Sequence, residues 1–473
     1  MCRFPHASAA ASLLIALAGA AAAEPRLVST AEQRSEVSVT VYNQDLGLVR
    51  EVRDVTLGRG EVTLEFRDVA ATIQAETVHV QSAGSPGDLR VVEQNYQYDL
   101  LSPRKLLEKY VGRRVKIYRW NETTGRDEEH EAEVLASNEG TVLRIGNEIT
   151  FDFPGRISFP EIPQNLIAKP TLTWLLASGR ERQTLEVSYL ARGLDWHADY
   201  VLVLDAADAR ASLNGWVTLA NRSGASYRDA RVKLVAGDVQ RVQPEAPVYD
   251  TMLMRSAEAA APAVREEGIF EYHLYTLERP TTLLDMETKQ VALLGARQVA
   301  VAKRLVLESQ PQLFRMQWDG AQELERAGVY LEFENAESNG LGRPLPKGVV
   351  RVYKADSEGA QQFLGEDSID HTPRDEKVRL KTGEAFDVVA ERRQMEFRSL
   401  GRCSSESAWQ IELRNHKEED VVVEVLEHAG GDWEIVESSH EAQKEDANSF
   451  RFRIDVPRRG AAELLYRLRL RWC

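Results

Sequence analysis

Apolar and polar residues alternate with a period of two along most of this chain, and that feature narrows its possible folds more than any other. A period of two sets one face of an extended segment against a core and leaves the other in water. Val37, Val39 and Val41 follow it, as do Val62, Leu64 and Phe66, then Leu185, Val187 and Tyr189, and late in the chain Phe450, Phe452, Ile454 and Val456. Gly, Asn and Asp interrupt these runs at short intervals. An α/β fold would need helical patterns between the strands. The pattern therefore predicts an all-β chain of two or three β-sandwich, immunoglobulin-like modules, with a small barrel-like insert and few short helices.

A local motif supports the sandwich reading. Val217-x-Leu219-x-Asn221, Leu331-x-Phe333-x-Asn335 and Ile411-x-Leu413-x-Asn415 are each an alternating strand that ends at an asparagine. Asparagine suits such a place because its side chain bonds the backbone ahead of it and tolerates left-handed conformations.

Residues 1–23 read as a secretory signal peptide. Arg3 and His6 precede a short apolar stretch centred on Leu13 to Leu17, and Ala21-Ala22-Ala23 precede Glu24 and Pro25. The stretch is too short and alanine-rich for a spanning helix, which takes ~20 apolar residues, so cleavage is expected after Ala23 and no membrane span thereafter. An N-terminal β domain is expected over residues 24–165, with one helix capped by Ser102 and burying Leu106, Leu107, Tyr110 and Val111. An opening sheet takes residues 36–93, and the barrel-like insert lies at about 102–160. Sandwich strands follow over residues 166–242. Pro244, Pro247, Pro262 and the alanine run 257–263 mark residues 243–266 as an exposed loop or linker, and residues 267–473 form the C-terminal sandwich region.

Fifty-nine Lys and Arg against 74 Asp and Glu give a net charge of −15, and removal of Arg3 with the leader takes it to −16. Nucleic acid is a poor partner for such a chain, because binding it rests on clustered cations. Cys403 and Cys473 are the thiols left after the leader, and an oxidising compartment permits a bridge between them. Sequence spacing leaves bridged and separate thiols equally open.

Catalytic signatures are absent from the sequence. The eight histidines beyond the leader include no His-x-His or His-Glu-x-x-His, and neither Cys-x-x-Cys nor the serine-nucleophile and phosphate-loop motifs occur. No metal site, cofactor or catalytic residue is assigned on that ground. Two polar concentrations remain as candidate ligand-binding residues. Trp196 and His197, within Asp195-Trp196-His197-Ala198-Asp199-Tyr200, could line a carbohydrate or peptide groove, or close a core. Glu366, Asp367, Asp370, His371 and Asp387 could form an acid/base pair or hold a divalent cation, or sit as solvated turn residues.

These stretches, with Val41-Tyr42-Asn43-Gln44-Asp45-Leu46-Gly47, Gly342-Arg343-Pro344-Leu345-Pro346-Lys347-Gly348, His371-Thr372-Pro373 and Gly383-Glu384-Ala385-Phe386-Asp387, resemble a bacterial domain-of-unknown-function family that also forms the C-terminal domain of mucoidy-inhibitor-like proteins. The resemblance covers the chain best from about residue 170 onward. It implies an all-β fold and frequent export, and it carries no reaction whose residues transfer here. The sequence thus leads to a non-enzymatic binding or scaffolding protein of the envelope, periplasmic or extracellular, with an envelope protein or glycan as partner. The alternative is a hydrolase or cation-dependent enzyme centred on Asp370, His371 and Asp387.

Overall fold

The computed structural model describes residues 26–473 apart from residues 86, 139, 152, 164–165, 168, 238, 241–263, 270–271 and 319–323. The leader therefore lies outside the described residues. The protein is all-β: its one described α-helix is Pro103–Lys109, and the other helical pieces are 3-10 turns of three or four residues. No helix among the described residues is long and apolar enough to cross a membrane. The chain divides into two compact units. In described residues the first comprises 26–35, Glu51–Ala71 and His79–Val187, and the second Glu36–Arg50, Thr72–Val78 and Ser188–Cys473.

The first unit holds a four-stranded sheet in the order Leu27–Ser29, Gly60–Arg67, Thr171–Ser178, Leu89–Gln97. Its alternating residues Leu64, Phe66, Leu172, Trp174 and Leu176 are fully buried, as the period of two requires. Arg53 and Glu51 are buried with them. The Arg53 guanidinium bonds Glu51 at 2.8 Å and the Arg67 carbonyl at 2.8 Å, and lies 3.5 Å from the Phe66 ring centroid. A second cation, Arg34, reaches Glu51 at 2.7 Å. Pairing of this kind offsets a desolvation cost of several kcal/mol per buried ion.

The same unit contains a curled five-stranded sheet in the order Glu148–Phe151, Val142–Ile145, Arg126–Ala136, Arg114–Asn121, Arg156–Ser158. Val115, Ile117, Ala132, Val134 and Leu143 form its core with Tyr110. The helix covers that core, and its Ser102 hydroxyl accepts the Lys105 N–H at 3.2 Å. One detail differs from expectation: the helix ends at Lys109, so Tyr110 is buried at its C-cap while Val111 turns outward, 45% exposed.

The second unit carries a five-stranded sheet ordered Glu287–Ala300, Arg210–Asn221, Leu194–Leu204, Gly348–Ala355, Gln361–Ile369. Leu194–Leu204 and Gly348–Ala355 run parallel and the other pairs are antiparallel. A nine-stranded sheet follows, with Lys377–Gly401, Ser404–Asn415 and Gly460–Arg471 as consecutive neighbours. Its core packs Trp409, Ile411, Phe450, Phe452 and Leu464, with Phe450 and Phe452 edge-to-face at 5.6 Å. A disulfide joins Cys403 to Cys473 with the Cα atoms 5.7 Å apart, just beyond the paired ends Ser404 and Arg471.

Pairing is less local than the sequence order implies. Residues 36–93 do not make one sheet: Gly60–Arg67 pairs with Thr171–Ser178, whereas Ser38 to Tyr42 lie parallel to Arg231 to Val235. The stretch 243–266 lies outside the described residues except for 264–266, which open the strand Val264–Ile269. Tyr227–Ala236 and Tyr272–Leu277, on either side of that stretch, pair with each other, so it connects strands of one sheet within one unit.

The three strand-ending asparagines are pins. Asn221, Asn335 and Asn415 are at most 2% exposed. Each oxygen accepts a backbone N–H ahead of it: Ser223 for Asn221, Gly342 for Asn335 and Lys417 for Asn415. Each amide donates to backbone carbonyls in two segments, for Asn335 those of Arg343 and Pro373, both at 2.8 Å. None of the three adopts a left-handed backbone, so hydrogen bonding alone accounts for the residue type.

Candidate functional site

The outer face of the five-stranded sheet in the second unit gathers the polar residues. In Leu194–Leu204 the alternation sends Trp196, Ala198 and Tyr200 inward, each at most 2% exposed, and Asp195, His197 and Asp199 outward. Trp196 is a core residue: its indole N–H donates to the Val235 carbonyl at 3.2 Å and its ring lies 6.2 Å from that of Tyr275. Of the two readings of this motif, Trp196 fits core closure and His197 faces solvent.

Five neighbouring strands each give one residue to a continuous polar row. Gln290 donates to Thr218 at 3.1 Å, and Thr218 to Asp199 at 2.7 Å; Arg351 donates to Asp199 at 3.0 Å and pairs with Glu366 at 3.2 Å. His197 Nε2 adds a third partner to Asp199 at 3.2 Å. Burial would raise the Asp199 carboxyl, but hydrogen bonds from His197, Thr218 and Arg351 outweigh it and hold it well below the usual carboxylate range. Its hydrogen bond to Asp199 pushes the His197 imidazole up against the opposing effect of burial. Asp199 is therefore held by three donors that favour its ionised form, and its hydrogen bond to His197 favours the protonated imidazole.

Beside this row lies a cavity of about 290 Å³ whose polar lining is Asn43, Asp195, His197, Lys347, Ser368 and His371. Four separate chain segments build it. The Asp45 carboxylate accepts the Gly193 N–H at 3.1 Å, which ties the turn containing Asn43 to the start of Leu194–Leu204. Gly348 stands opposite Ala198 in the parallel pair, and a Cβ there would lie 2.1 Å from the Ala198 carbonyl oxygen, so only glycine lets the strands approach at this point. The far wall is the turn after Gln361–Ile369, where the Lys347 N–H donates to His371 Nδ1 at 3.1 Å and Leu345 bridges Thr372. Burial raises the Asp195 carboxyl, partly offset by the N–H groups of Asp45 and Trp196 and by the His197 charge.

The residues named from the sequence divide between this site and others. His197 and His371, 174 positions apart in the numbering, line one cavity, which Trp196 borders from the core side of its strand. Glu366 is bound into the polar row. Asp367 is a backbone tie: its carboxylate accepts the N–H groups of Ser368 at 2.8 Å and Lys381 at 2.7 Å. Asp370 is 93% exposed and pairs loosely with Lys347 at 3.7 Å. Asp387 lies in Lys377–Gly401 of the nine-stranded sheet, and neither it nor Asp370 lines the cavity that holds His371. Among the described residues no three His, Cys, Asp or Glu side chains gather as a metal ion would require. Asn43, Asp195, Lys347 and Ser368 were not singled out from the sequence. Each lies in or beside a stretch of the family-like pattern, but nothing in those stretches marks them as neighbours.

No protein-family model matches the chain, and no curated protein matches it significantly. The likeness described from its motifs rests on those motifs alone.

Proposed function

We propose that this chain is an exported, non-enzymatic binding protein of the bacterial envelope, and that the cavity beside His197 and His371 is its ligand site. The observation that carries the reading is the convergence of four chain segments on one small cavity with polar groups at its flanks, beside a row of hydrogen-bonded and ion-paired side chains. A carboxylate such as Asp199, occupied by three donors, is a poor proton acceptor and a good anchor for a neighbouring imidazole. Rigid positioning of this kind is what recognition of a small ligand asks of a site. Export is supported by the basic, apolar and small-residue succession of residues 1–23 and by a disulfide suited to an oxidising compartment. The motif resemblance points to the same location. The acidic net charge favours a peptide or glycan over a phosphate polymer.

The test uses the exported chain, expected to begin at Glu24 by intact mass. Low-mass envelope extract should raise its melting temperature, since a ligand that binds the native state stabilises it. Val349→Trp, which fills the cavity from its floor, should abolish the rise. No rise, or an equal rise in that variant, would overturn the reading.

A further inference from the structure

The cavity's exposed lining is mainly apolar, and its polar groups stand at two flanks. At one flank stands Asp195, half-buried, which accepts backbone N–H groups of Asp45 and Trp196 and has no Lys or Arg partner among the described residues. Asn43 lies beside it on the same flank, and its side-chain oxygen is buried with no hydrogen-bond partner. At the other flank stand Lys347, Ser368 and His371. The Lys347 ammonium is 63% exposed and its nearest carboxylate, Asp370, is almost wholly in solvent at 3.7 Å, a pairing too loose to occupy it. His371 accepts the Lys347 N–H through Nδ1 at 3.1 Å. His197, which faces outward from the sheet, lines the cavity together with Gly348 and Val349.

The register fixes the span. Asp195 lies three residues before Ala198 and Lys347 one before Gly348, where the parallel pairing of these strands begins; carried back at strand spacing, that offset puts their Cα atoms roughly 8 Å apart. A neutral sugar would bring no charge to either flank, and a simple anion would bring one to the Lys347 flank alone.

We propose that the cavity binds a zwitterion of amino-acid or dipeptide size, with its ammonium at Asp195 and its carboxylate at Lys347, Ser368 and His371. This rests on the reading of the cavity as a ligand site and names the class of ligand. Charge-assisted hydrogen bonds at both ends are the strong polar contacts available to so small a molecule, and a cavity of about 290 Å³ has room for it.

The experiment is calorimetric titration of the mature full chain with alanine and alanyl-alanine, beside N-acetyl-alanyl-alanine, alanyl-alaninamide and N-acetylglucosamine. At least one of the two zwitterions should bind, and blocking either end of alanyl-alanine should weaken it tenfold or more. Asp195→Asn should remove the penalty for acetylation while keeping that for amidation, and Lys347→Met should do the reverse. A general loss of structure would produce neither pattern. Equal binding of free and blocked dipeptides, preference for the sugar, or no binding of either zwitterion overturns the proposal. In that last case, a melting-temperature rise with envelope extract that Val349→Trp abolishes would leave the binding reading standing. No rise would remove both.

Discussion

Asn335→Ala should be among the most damaging single substitutions in the second unit. The side chain is fully buried, donates to the carbonyls of Arg343 and Pro373 at 2.8 Å each, and accepts the Gly342 N–H at 3.2 Å. At about 1 kcal/mol net for each bond, and up to ~3 for a buried group left unpaired, the loss comes to about 3–5 kcal/mol. Native domains are commonly stable by about 5–15 kcal/mol, so this is a large fraction. The same side chain holds together the two segments that carry Lys347 and His371, so the cavity wall should loosen with it. Asn335→Asp sharpens the argument. It is nearly isosteric, yet it places carboxylate oxygens where an amide donated to two carbonyls, and it should cost more than alanine. Urea denaturation of the wild type and both variants gives the differences. A cost below 1 kcal/mol for alanine, or an aspartate variant as stable as the alanine one, would refute the reasoning.

Two other consequences are open to measurement. The His197 value is raised on folding, so its contribution to stability is complete below about pH 6.5 and fades as pH rises through the folded value; that of Asp199 is lowered, so its contribution is present above about pH 3.9 and fades as pH falls through the folded value. The advantage of the wild type over His197→Gln should thus peak at mildly acidic pH and shrink by pH 8, and an advantage that grows with pH would contradict the pairing. Cys403→Ser should cost roughly 4 kcal/mol, the chain-entropy value for the loop that the bridge closes. Dithiothreitol should lower the wild type by the same amount and leave the variant unchanged, whereas a reductant-insensitive wild type would argue against the bond.

The all-β class was legible because alternation is a local property: Val39, Leu64, Val187 and Phe452 are buried where the period puts them. The partners of those strands were not legible. Ser38 lies beside Arg231 and Ala198 beside Gly348, parallel pairings set by packing of the whole sheet and without a turn signal to announce them. The asparagine motif was visible as a pattern but its work was not, because the carbonyls that Asn335 bonds lie up to 38 positions away. For the same reason the sequence grouped His371 with Asp370 and Asp387, its neighbours along the chain, when the fold pairs it with His197 across the sheet. Asp195, Lys347 and Ser368 escaped notice because a single charged or hydroxyl residue near a strand end is ordinary until its neighbours in space are known.

The account stands on His197 and His371 sharing one ligand cavity. The most direct measurement is the imidazole region of the nitrogen–carbon correlation spectrum of the mature protein, titrated with low-mass envelope extract and then with alanyl-alanine. The His197 and His371 signals should move together and saturate together, with those of His428 and His440 unmoved. Signals of His197 and His371 that stay still, or that respond separately, would contradict it.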